Sequence, residues 1–153
     1  MEQAKIMAKN KDASVAPSFT VDDVLKFLGT DFLDDDYCRL WILTKLHPEE
    51  QISCPECYTA LPKKSLPRFW NGRRLRCSNC GKFFSALTKT FLSGCHLQYT
   101  GIILLAMFLG LQVPSNIIAE KLGISSESVR LWRQKFQAIE RMKDMKAIEG
   151  GHV

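Results

Sequence analysis

The 153-residue sequence has no apolar run long enough to cross a bilayer. The longest, from Gly101 to Val113, spans thirteen residues and is interrupted by Gln112. A spanning helix needs roughly 20, so this run reads as a buried helix. An apolar leader is missing too. Residues 1–11 are polar and lysine-dotted, so no secretory signal is expected. Acidic residues are nearly missing from residues 51–91, where one Glu faces eight Lys/Arg. The C-terminal tail has too few heptads for a coiled coil. These absences exclude a membrane span and set apart one strongly basic segment. Hydrophobic content of 46% and charged content of 24% are those of a folded, soluble chain.

The charge is unevenly spread. Residues 1–50 carry six Lys/Arg and ten Asp/Glu, while residues 92–153 carry seven and five. The excess positive charge therefore lies in residues 51–91. A compact basic patch is the expected footprint of a polyanion.

That same segment holds Cys54, Cys57, Cys77 and Cys80 as two C-x-x-C pairs nineteen residues apart. Two disulfides, a redox dithiol pair or an iron site also fit four cysteines. The spacing favours a four-cysteine zinc site. Each pair turns tightly enough to aim both sulfurs at one point. Two such knuckles complete a tetrahedron with no open position, so the zinc is expected to be structural. A segment this short also needs a metal to fold, because it can bury little core. Gly81 suits a turn through positive φ; Tyr58 in the first knuckle suits it less. Arg68 to Arg76 reads as a hairpin turning at Asn71-Gly72. The fold expected is a zinc ribbon, and the absence of a leader places it in a reduced cytoplasm.

Ahead of the ribbon, residues 1–17 read as a disordered tail and 18–50 as a helical segment. Thr20 is a candidate N-cap, Val24, Leu25, Phe27 and Leu28 an apolar face, and Gly29 a stop. A second helix starts near Asp34-Asp35-Asp36 and runs towards Leu46, with Pro48 limiting it. Its acids read as helix caps rather than a catalytic cluster, because no base or metal ligand accompanies them. The acidic helices are expected to pack on the ribbon or on a partner. Cys38 reads as a small buried residue, His47 as a capping or dipole residue, and Cys95-His96 as superfluous to a filled tetrahedron.

Beyond the ribbon (51–91), Phe83 to Thr88 reads as a closing strand. Residues 92–149 form an expected helix-turn-helix domain. Leu97 to Gly110 is its apolar helix. Ala119 is small where two helices cross, Gly123 supplies a left-handed turn, and Ser125 caps the next helix. Ile124, Val129 and Trp132 are expected to bury that helix. Ser126, Glu127, Arg130, Arg133 and Gln134 then face outward. Arg can bridge guanine O6 and N7, and Gln adenine N6 and N7.

These residues carry a resemblance. Cys54-Pro-x-Cys57, Arg68-x-Trp70 and Arg74-x-x-Cys77-x-x-Cys80-x-x-x-Phe84-Ser85-x-Leu87-Thr88-x-Thr90 resemble the zinc ribbon of a bacterial insertion-sequence transposase family. In that family an acidic helical segment precedes the ribbon and a helix-turn-helix follows. Asp34 to Leu43 resembles the first and Ile117 to Trp132 the second. The family usually has Gly where Lys89 stands and a Pro-Leu step at His96-Leu97. It also implies an RNase-H-like nuclease domain with an acidic triad, which these 153 residues do not contain. The resemblance therefore implies DNA recognition, not strand transfer.

The resulting expectation is an α+β, non-enzymatic protein. A four-cysteine ribbon is flanked by an N-terminal helical pair and a helix-turn-helix domain. It would bind double-stranded DNA in the nucleoid, as a transcriptional regulator or the recognition component of a mobile element. The candidate DNA contacts are Arg68, Arg73, Arg74, Arg76, Lys82, Ser126, Arg130, Arg133 and Gln134; of these Arg73, Arg74 and Arg76 are expected on phosphates, and Arg130, Arg133 and Gln134 at base edges. No membrane or small-molecule substrate is expected. A homodimer or a separate nuclease or protein partner could engage the N-terminal helices. The other readings are a truncated transposase fragment and a protein-interaction module of a larger complex.

Overall fold

The computed structural model describes residues 16–27 and 34–151. Among the described residues six α-helices and two strands lie within two compact units, and each unit has its own core. One unit joins Met1–Ser18 to Asp35–His96 and the other combines Phe19–Asp34 with Leu97–Val153. The two helices ahead of the ribbon thus fall into different units.

In the first unit, α2 (Asp35–Leu46) begins with Asp35 and Asp36 in its first turn, where negative charge meets the unpaired N–H groups. Cys38, Trp41, Ile42, Leu43 and Leu46 are buried. Arg39 ties the helix to the ribbon, since its Nε donates to the Trp70 carbonyl at 3.1 Å and another guanidinium nitrogen to Asn71 Oδ1 at 3.4 Å. The expected packing of an acidic helix on the ribbon is therefore present for α2. His47 closes the helix. Burial pushes its pKa down, outweighing the Ala86 carbonyl and Glu49. Nε2–H donates to the Ala86 carbonyl at 2.5 Å, and the ring stands edge-on to Phe69 at 4.9 Å.

The expected hairpin at Asn71-Gly72 is replaced by a helix end. A short helix, α3 (Leu66–Trp70), carries Pro near its start, where a missing N–H costs nothing. Gly72 has φ +71, but Asn71 has φ −81. The two-residue turn that Asn-Gly favours needs positive φ at both. Gly72 N–H reaches the Phe69 carbonyl at 2.9 Å and Arg73 N–H the Arg68 carbonyl at 3.1 Å, which is the pattern of a glycine-terminated helix. Phe69, 2% exposed, decides between the two: burial against His47 and Trp70 rewards the helical turn. The strand β1 (Leu75–Arg76) pairs instead with β2 (Phe83–Phe84), antiparallel, Leu75 opposite Phe84 and Arg76 opposite Phe83. The closing strand is thus two residues long, and Ser85 to Thr90 turns back on itself through backbone bonds.

In the second unit, α1 (Val21–Phe27) starts with a reciprocal cap. Asp23 N–H donates to Thr20 Oγ1 at 3.1 Å, and Thr20 N–H to Asp23 Oδ2 at 2.7 Å. Thr20 is the cap the sequence indicates. Burial pushes the Asp23 carboxyl up, but the Thr20 N–H and the Lys143 ammonium more than offset it and hold the pKa below its ordinary value. Leu28 and Gly29, the side chains of Leu25 and Phe27, and all but residues 16 and 17 of the expected tail lie outside the described residues. Helix α1 packs on α4 (Tyr99–Gly110), and α5 (Ser115–Leu122) packs on both α4 and α6 (Ser126–Glu149). Phe19, Ile102, Ile103, Leu105, Ile118, Val129 and Phe136 form the core. Among the described residues no helix is long and apolar enough to cross a membrane.

Candidate functional site

The first candidate is the cysteine cluster, and it is built from two like knuckles. Tyr58 N–H bonds the Cys54 carbonyl at 2.9 Å, and Gly81 N–H the Cys77 carbonyl at 3.0 Å. Cys54 N–H bonds the Thr59 carbonyl, and Cys77 N–H the Lys82 carbonyl, both at 2.9 Å. Ser53 bridges Ala60 just as Arg76 pairs with Phe83. Tyr58 therefore takes the place of Gly81, with φ +60 against +72.

Those turns bring the four sulfurs of Cys54, Cys57, Cys77 and Cys80 within 4.8 Å of one another. Cys54 Sγ lies 3.8 Å from Cys80 Sγ, and Cys57 Sγ 3.6 Å from Cys77 Sγ. All six cysteines are free thiols. The two-disulfide alternative is thereby not the arrangement seen. Cys38 is buried away from this cluster, and Cys95 and His96 do not join it. The sulfurs differ in acidity. Hydrogen bonds from Thr59 and Asn79 bring Cys57 down to about 5. The Lys82 N–H favours the Cys80 thiolate, yet burial and the neighbouring sulfurs raise Cys80 to about 11. Four crowded sulfurs resist joint ionisation because like charges repel, and a cation at their centre removes that penalty. The cluster can hold a metal ion.

The second candidate is the basic face of the ribbon. Arg76 and Phe83 face each other across the two strands, both exposed, while Leu75 and Phe84 are buried. Arg74 lies two residues before Arg76, on the same face by the alternation of a strand. The Arg74 guanidinium sits 4.4 Å from the Phe83 ring centre and that of Arg76 5.8 Å. Arg76 Nε also donates to the Gly81 carbonyl at 3.2 Å, and Arg68 Nε to the Arg74 carbonyl at 3.1 Å. Arg73 is exposed. Lys82 is less free than its neighbours, since it pairs with Glu56 at 3.2 Å. Lys89 shares that carboxylate at 3.4 Å. It has φ +59.

The third candidate is the face of α6. Gly123 at φ +66 ends α5, and Ser125 Oγ accepts the Ser128 N–H at 3.0 Å to cap α6. Val129 is fully buried; Ile124 and Trp132 are only half-buried. Ser126, Glu127, Arg130 and Gln134 are exposed. Arg130 pairs with Glu127 at 2.6 Å. Arg133 is not on the outward face. It folds back, half-buried, to the Val113 carbonyl at 3.1 Å and Ser115 Oγ at 3.4 Å. Those acceptors lie at the free start of α5, where Pro114 offers no side-chain cap; helical spacing alone does not show them.

Sequence reasoning passed over Phe83 as a surface residue. Its signal was the alternation in Leu75-Arg76 and Phe83-Phe84, which leaves one aromatic outward whichever face is buried. Compared with protein families, with curated proteins and with solved structures, the chain matches none of them.

Proposed function

We infer that this chain is a zinc-containing DNA-binding protein. The carrying observation is the convergence of four thiols from two like knuckles, within 4.8 Å, on a segment with eight Lys/Arg and one acid. Zinc bonded to four sulfurs at about 2.3 Å in a tetrahedron sets them about 3.8 Å apart. The separations of 3.8 and 3.6 Å fit that edge. Four protein sulfurs leave no open position, so the zinc holds the fold and activates no water. The protein is accordingly non-enzymatic in this reading.

The basic ribbon supplies phosphate contacts, which position without reading sequence. Ser126, Arg130 and Gln134 on the exposed start of α6 supply base contacts in a major groove. Arg133 serves as a brace for the turn before α5, not as a reader. The protein acts as a transcriptional regulator or as the DNA-recognition component of a mobile element, in keeping with its resemblance to insertion-sequence transposases. Support for duplex recognition comes from the capped helix-turn-helix and from the charge imbalance.

Metal analysis of reduced, folded protein tests the first half, with one zinc per chain expected. Selection of bound duplexes from a random library, repeated across salt concentrations, tests the second. Enrichment of one site is expected, and Arg130→Ala should cost about 1–3 kcal/mol on that site with relaxed choice at one base. Absence of zinc, or no binding at any salt, would sink the reading.

A further inference from the structure

We propose that the exposed face of the ribbon is a stacking platform for unpaired bases, with Phe83 at its centre, so that the protein engages single-stranded nucleic acid as well as duplex. The inference deepens the nucleic-acid reading given above and rests on it. Two observations carry it. Phe83 is 56% exposed, although Phe84, its neighbour, is buried. Guanidinium groups of Arg74 and Arg76 stand 4.4 and 5.8 Å from its ring centre.

The chemistry follows from these parts. Every base presents a π-face, so an exposed aromatic ring accepts bases with little regard to sequence. Guanidinium planes stack on bases too, and their charge is drawn to both ring and phosphate. Duplex DNA keeps its bases stacked inside and offers a surface ring nothing to stack on. An unpaired strand offers both features at once, a base to Phe83 and a phosphate chain to the Arg74 and Arg76 guanidinium groups. Charge favours the same occupant. The single acid of the segment, Glu56, is engaged by Lys82 and Lys89, which leaves Arg74 and Arg76 with no ion pair among the described residues.

The test uses the full chain with its metal content checked. Fluorescence anisotropy measures binding to labelled oligo(dT) of about 12 nucleotides, within the usual single-strand site size, and to a duplex of equal length. Phe83→Ala should bind oligo(dT) about 5- to 150-fold more weakly, and duplex within about threefold of the parent. Its salt slope on oligo(dT) should stay unchanged, while Arg74→Gln lowers that slope by about 0.7. Phe83→Trp should restore affinity and show quenching of the added indole when oligo(dT) binds. Unchanged oligo(dT) affinity in Phe83→Ala, or an equal loss on both ligands, overturns the platform alone. Failure of the parent protein to bind either ligand overturns the platform and the DNA-binding reading together.

Discussion

The ribbon unit and the helical unit solve the same stability problem by different means. In the helical unit the buried residues come from five stretches of chain and fill a continuous interior: Phe19, Val24, Ile103, Ile118, Val129 and Phe136 are each at most 2% exposed. In the ribbon the strands are two residues long, and the two knuckles meet through sulfur. Its apolar support comes mainly from α2 and the Phe69 cluster at one end. The contrast teaches that two units of one chain can each bury apolar residues while only one of them also gathers thiols that can hold a metal ion. That unit is the one with the basic face and the exposed Phe83 ring.

The largest effect that would break this contrast is loss of the metal. Cys54→Ser or Cys80→Ser, or a strong chelator, should melt the ribbon, because structural zinc supplies about 10–16 kcal/mol of coupled folding free energy. The helical unit should keep its far-ultraviolet circular dichroism and its thermal transition. A single joint transition lost on chelation would erase the distinction between the units.

Next in size is the converse experiment. Phe136, 2% exposed and 5.9 Å from Phe19 ring to ring, belongs to the helical core. Phe136→Ala should cost about 3–5 kcal/mol in denaturant unfolding of that unit. Zinc content and the ribbon's resistance to chelation should not change.

A smaller pair of substitutions sharpens the comparison within the backbone. Both units hold a non-glycine residue in left-handed conformation at a turn, among them Tyr58 at φ +60 in the ribbon unit and Gln112 at φ +54 in the helical unit. Both side chains are exposed, so little packing is lost on truncation. Tyr58→Gly and Gln112→Gly should each stabilise their own unit by about 0.5–1 kcal/mol, the relief of strain less the added freedom of the unfolded chain. Apparent zinc affinity should rise in the first variant only. Destabilisation in either would show that the side chain contributes more than its backbone costs.

The smallest effect is a pH dependence confined to the ribbon unit. Burial holds the His47 pKa below its ordinary value. The unfolded chain therefore takes up a proton at a higher pH than the folded one. The contribution is complete above about pH 6.5. It is lost as pH falls from there towards the folded pKa. Chelator-free unfolding at pH 7.5 and pH 6, compared between parent and His47→Gln, should show a smaller loss in the variant. An equal loss would place the acid sensitivity elsewhere, in the thiols first of all.

Much of the site was legible because its signals are local. Two C-x-x-C pairs mark the candidate ligands without any knowledge of packing, and four sulfurs within 4.8 Å follow from two short turns. Caps behave the same way: Thr20 with Asp23, Ser125 with Ser128, and the left-handed Gly123 each need only their nearest neighbours. What tertiary structure decided is of another kind. Asn71-Gly72 is compatible with a hairpin or with the end of a helix, and burial of Phe69 against His47, 22 positions away, selected the helix end. Arg133 has outward helical spacing, yet carbonyl and hydroxyl acceptors on the Val113–Ser115 turn drew it inward. The acidic helices read as one segment, but α1 found its apolar partner in α4 while α2 was held by Trp70 and Asn71 through Arg39. In each case the choice was made by a partner distant in sequence, whose position exists only after the chain has folded. Local turn chemistry and ligand spacing are properties of the sequence; which polar groups end up near one another is a property of the packed chain.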